Sequence, residues 1–96
     1  MGLVVRSVLL TRIASQANDP RIMITGAQCR AGRGFLAWSQ NDLAAKASVS
    51  RHTVRLFEDG GKTYSVSIDK IEAALEEGGV AFVDTDRGPA VILVGG

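Results

Sequence analysis

The chain has 96 residues, 46% hydrophobic and 22% charged, which fits one globular domain and excludes wholesale disorder. One cysteine, Cys29, excludes an intrachain disulfide, and with His52 as the sole histidine a structural zinc site lacks its ligands. The net charge of +1 hides a gradient, from five arginines against one acid in residues 1–33 to two basic against six acidic side chains in 63–96; a basic front and an acidic back suit a chain that turns one side to a polyanion.

Residues 1–22 read as an N-terminal extension. "LVVRSVLLTRIA" fits a strand or a helix, and "SQANDPR" fits a linker with a turn at Asn18-Asp19-Pro20. The apolar run is broken by Arg6, is too short to span a bilayer and matches a signal peptide poorly, so a cytoplasmic protein without membrane contact is expected. Met23, just before the first clear helix start, is an alternative natural start.

The first helix begins at Thr25, where Gln28 completes a capping box. Cys29, Gly32 and Leu36 share one face, and the helix should end near Trp38. Cys29 reads as a buried small hydrophobe. Gly32 and Gly34 each weaken the helix by about 1 kcal/mol relative to Ala, so packing must hold it. Ser39 caps a second, short helix over about 40–46, with Asp42 at the third position and Leu43, Ala44 and Ala47 inward.

Ser48-Val49 make a tight turn, with Val49 tucked beneath both helices. Ser50 caps a third helix that runs to about Asp59, with Val54 and Phe57 as its apolar positions and Gly60-Gly61 as its stop. Ser67 caps a fourth helix, with Asp69 in its first turn and Ile68, Ile71 and Leu75 on one face; Gly78-Gly79 end it. The tail changes character. "VAFVD" and "AVILV" around "TDRGP" predict a β-hairpin with a loop of five residues. Such a hairpin is marginal in water alone and needs a third strand, a helix or a partner's hairpin.

The start of the third helix carries the functional signal. Its free N–H groups and positive dipole end favour phosphate. Arg51, His52 and Arg55 can project from one side, an α-helix fits the major groove, and Arg can donate two hydrogen bonds to guanine. No nucleophile or acid–base set accompanies His52. "AGRGF" and "DGGK" lack phosphate-loop spacing, Trp38 reads as a core-edge residue, and Asp84 and Asp86 read as turn residues. The chain is therefore expected not to be an enzyme and to need no cofactor or metal.

"WSQNDLAAKASVSRHTVRLFEDG" resembles the XRE-like, lambda-repressor-like helix-turn-helix family of bacterial regulators. It matches at Ser39, Gln40, Leu43, Ala44, Val49, Ser50, Thr53, Glu58 and Gly60; Val54 replaces Ile, and Ser48 stands where Gly is usual. The resemblance covers about residues 23–78. It implies a mainly α fold, a four- to five-helix lambda-repressor-like bundle over 23–78. The C-terminal β-hairpin over 79–96, with its unpaired strand edges, is the candidate dimerisation element, and an N-terminal strand is a further option. The resemblance also has consequences for the site. It implies base contacts from Arg51, His52, Arg55 and Leu56, the last reaching a thymine methyl or simply packing. Ser39, Gln40, Ser50, Thr53, Lys62 and Thr63 would hold phosphates. Arg33 and Glu58 take the positions of a partly buried ion pair. The expected activity is sequence-specific binding of double-stranded DNA at a palindromic operator, as a homodimeric repressor. The alternative is a helix-turn-helix antitoxin or accessory protein whose main task is binding a protein partner.

Overall fold

The computed structural model describes residues 4–6 and 23–94. In chain order these are strand β1 (Val4–Arg6), helices α1 (Gly26–Leu36), α2 (Gln40–Ala47), α3 (Arg51–Glu58) and α4 (Ser65–Gly78), and strands β2 (Val80–Thr85) and β3 (Gly88–Leu93). The result is a small, mainly helical domain with an antiparallel hairpin. The linker and turn expected over 15–21 lie outside the described residues.

Three helices start where a hydroxyl closes their first turn. Thr25 Oγ1 accepts the Gln28 N–H while the Gln28 side chain accepts the Thr25 N–H, and Ser39 and Asp42 repeat the exchange on α2. Ser50 accepts the Thr53 N–H on α3. Each such cap is worth about 1 kcal/mol. Helix α1 stops at Leu36, two residues short of expectation, because Ala37 turns left-handed at φ 58° and Trp38 N–H bonds back to Arg33 O. That frees the Trp38 indole to lie on Gly78, where a Cβ would stand 2.6 Å from the ring. Lys46 Nζ lies over the Trp38 ring, 4.9 Å from its centroid. Ser48 takes the left-handed turn at φ 58°, a conformation that glycine adopts at less cost.

Two expectations are corrected. The fourth helix is not capped by Ser67: it begins at Ser65 behind Tyr64, whose carbonyl receives the Ser67 and Ile68 N–H groups. Asp69 is consequently past the first turn. No side chain caps this end, and the burial of Ile68, Ile71, Ala74 and Leu75 holds the helix instead. The hairpin loop is not five residues long. Thr85 pairs with Gly88 across Asp86 and Arg87, and Thr85 Oγ1 accepts the Arg87 N–H and donates to Gly88 O. Gly88 supplies the φ of 126° that this turn needs. Pro89 is thereby drawn into a strand, which is tolerated because β3 is an edge of the sheet among the described residues.

The sheet order is β1-β2-β3, antiparallel throughout, with Val5 opposite Val83 and Phe82 opposite Val91. The hairpin therefore has the third strand it required. The core gathers Ile24, Cys29, Leu43, Val54, Phe57, Ile71, Leu75, Val80 and Phe82, with Trp38, Val49 and Val91 against it. Helices and hairpin share this one core. Gln28 reinforces the join: its Nε2 donates to Ala90 O at 3.0 Å. No helix among the described residues is long and apolar enough to cross a membrane.

Candidate nucleic-acid interface

Helix α3 is sharply two-sided. Val54, Phe57 and Glu58 are buried, while Arg51, His52 and Arg55 are exposed. Val54 and Phe57, three residues apart, give the helix its inner side at 3.6 residues per turn, while Arg51 and Arg55, four apart, share the outer one with His52 next to Arg51; Glu58, seven residues after Arg51, is drawn inward by its partners rather than by helical period.

The inner side is anchored through Glu58, whose side chain is 2% exposed. Arg33 clasps it with two parallel bonds, Nε to Oε2 at 2.7 Å and Nη2 to Oε1 at 2.8 Å. Gln40 Nε2 donates to Oε1 and Cys29 Sγ donates to Oε2, each at 3.2 Å. Burial alone would push the Glu58 carboxyl up. The bonds from Arg33, Cys29 and Gln40, with the Arg33 charge, outweigh it and hold the group below the usual carboxylate range. Burial, and then the Glu58 bond, push the Cys29 thiol far up. Cys29 is thus a buried hydrophobe, as expected, that also serves as a neutral donor.

Two more residues of α1 fix the end of α3. Arg30 Nη1 donates to Glu58 O at 2.7 Å, taking one of the carbonyls a helix end leaves open. Gly26 lets the backbones nearly touch: a Cβ there would collide with Phe57 O and stand 2.9 Å from Glu58 Cα. Neither role was foreseen. The spacing Gly26, Arg30, Arg33 at i, i+4 and i+7 is the signal that places all three on one side of α1.

The outer side carries the remaining candidates. Arg51 and His52 head α3 with no side-chain hydrogen bond among the described residues, and Arg55 Nε lies 3.8 Å from Asp59 Oδ2. Ser39 and Ser50 are exposed but their hydroxyls serve as caps. Half-buried Thr53 shares a 2.8 Å hydrogen bond with Ser50. Gln40 is half-buried and committed to Glu58, so its first task is bracing α2 against α3. Lys62 is exposed and Thr63 half-buried on the segment after α3. Leu56 is half-buried across Gly61, where a Cβ would strike its Cδ1. The Arg33–Glu58 pair stands as the resemblance implied.

No protein-family model matches the chain, and no curated protein matches it in sequence.

Proposed function

We propose that the protein is a sequence-specific double-stranded-DNA-binding regulator of the lambda-repressor-like helix-turn-helix type, acting in the cytoplasm as a repressor and without catalysis. The observation that carries this reading is the two-sidedness of α3: its first turn offers Arg51 and His52 to solvent while its other end is locked to α1 and α2 through Glu58. Arg51, His52 and Arg55 read base edges, and Ser39, Gln40, Ser50, Thr53, Lys62 and Thr63 line the phosphate-facing flank.

One short recognition helix covers few base pairs, so the reading includes a homodimer with recognition helices about 34 Å apart. The edge strand β3 is the contact: Ile92, Leu93 and Val94 are exposed apolar residues at its end. Val80 and Phe82 belong to the core, so truncating the hairpin would unfold the domain, and Leu93→Lys is the cleaner probe. It should give a folded monomer by sedimentation; a persisting dimer removes β3 from the contact.

The function itself is tested by selecting bound duplexes from a random pool. A two-fold symmetric motif, lost with Arg51→Ala, is the expected result. Absence of enrichment, with a protein partner co-purifying through the apolar end of β3, would favour the antitoxin-like alternative.

A further inference from the structure

The segment from Gly60 to Tyr64 is built more firmly than a connection needs. Gly60 takes φ 86°, and its N–H bonds to Phe57 O at 3.1 Å. Gly61 N–H bonds to Leu56 O at 2.9 Å, and the Leu56 side chain lies directly on Gly61: a Cβ there would meet Leu56 Cδ1 and stand 2.9 Å from Cγ. Gly61 does not have the positive φ that would require glycine, so the leucine above it is what excludes a side chain. Thr63 Oγ1 donates to Gly61 O at 3.5 Å. Tyr64 then ends the segment with its carbonyl fixed by the start of α4. Both ends are pinned, yet Lys62 is exposed and Tyr64 is 84% exposed. A tyrosine ordinarily buries its ring and keeps only the hydroxyl wet. Here a hydrogen-bonded loop leaves an ammonium and a phenol exposed, two residues apart, just after the end of α3.

Resting on the DNA-binding reading, we propose that Leu56 does not read a base: it is a positioning residue that, through Gly61, sets the reach of a phosphate clamp formed by Lys62 and Tyr64. The lysine supplies a point charge and the phenol O–H a directed donor, both suited to the sugar-phosphate backbone and neither to sequence readout. Tyr64 joins the interface on this account, and Leu56 leaves the base-reading set.

The test uses the full chain and the duplex recovered by selection, with affinity measured across a salt series. Lys62→Gln should lower the magnitude of the log–log salt slope by about one. Tyr64→Phe should weaken every duplex roughly tenfold without changing sequence preference, as expected for a lost hydrogen bond to a charged group. Leu56→Ala should reproduce the slope change of Lys62→Gln, add little to it in the double variant, and be restored by Leu56→Met. Gly61→Ala, which pushes on the same contact from the loop side, should act alike should Leu56→Ala fold poorly. Replacing each thymine by uracil should leave wild-type affinity unchanged at every position that Leu56 can reach. A uracil penalty that vanishes in Leu56→Ala would make Leu56 a methyl reader and overturn the proposal, as would an unchanged salt slope in folded Leu56→Ala and Gly61→Ala. A wild-type protein that binds no duplex would overturn the DNA-binding reading itself, and the clamp with it.

Discussion

Helix α3 places its two kinds of charge under opposite regimes. At its inner end the Glu58 carboxylate is enclosed and accepts four side-chain bonds, from Arg33 twice, Gln40 and Cys29. On its outer face Arg51 and His52 stand in water, and Arg55 has only a loose, exposed contact with Asp59. Enclosure makes the first charge costly to disturb, since removing one partner strands the other in a poor solvent. Exposure makes the second set nearly irrelevant to folding. Fold and proposed readout thus occupy the same eight residues with little interference.

The sharpest break of this comparison is a pair of alanine variants. Glu58→Ala leaves Arg33 without its carboxylate partner and frees four donor groups on three residues at once. It should cost about 3–5 kcal/mol, much of the stability of a domain this size, read as a lower midpoint in urea. Arg51→Ala should leave that midpoint in place and weaken the selected duplex by about 1–3 kcal/mol. Similar midpoint losses in both variants would end the division.

A smaller loss is expected from Gly26→Ala. Alanine is the better helix former by about 0.5–1 kcal/mol. The added Cβ nevertheless meets the Phe57 carbonyl, which is backbone and cannot swing aside. Overpacking of this kind costs about 1–3 kcal/mol, so the net change should be destabilising. Stabilisation would mean that α1 and α3 can part freely, and the anchor would be looser than its bonds suggest.

The pH dependence of stability separates the members of the anchor. Glu58 has a lowered pKa when folded, so its contribution is complete above the ordinary glutamate value of about 4.3 and is lost as pH falls through the folded value. Cys29 has a raised pKa, so its contribution is complete below the ordinary thiol value of about 8.5 and is lost as pH rises beyond it. Stability should therefore decline on both sides of a plateau. Cys29→Ser keeps a donor for Glu58 and removes the ionisable thiol, so it should flatten the alkaline decline and leave the acid one. An alkaline decline unchanged in that variant would assign it elsewhere.

How much of this was legible depends on distance along the chain. Thr25 with Gln28, Ser39 with Asp42, and Ser50 act on N–H groups three residues away, and all three caps were read correctly. The start of α4 was misplaced because no side chain marks it. The hairpin turn was misjudged because Pro89 looked like loop while Thr85 and Gly88 close a tighter pair. Arg33 with Glu58 came from the resemblance alone. Arg30, Cys29 and Gln40 reach Glu58 across 28, 29 and 18 residues, separations at which local pattern carries no signal. The exposed side of α3 was readable because it depends only on helical period; the contact of Leu56 with Gly61 was not, because it depends on where the chain turns back.

The mildest change bears on the outer face. Asp59 is the acid closest to Arg55 on α3, at 3.8 Å with both side chains about two-thirds exposed. A pair so wet contributes little to stability, so Asp59→Asn should leave the urea midpoint essentially unmoved. Its effect belongs to binding. An acid beside the reading face repels phosphate and competes for Arg55, and its removal should tighten binding to selected and unrelated duplexes alike, most visibly at low salt where such charges are least screened. Tightening confined to one base position would instead show that Asp59 restrains how Arg55 reads sequence. Weakened binding would show that Asp59 holds Arg55 in its reading pose, and the two charges would then have to be counted as one reader.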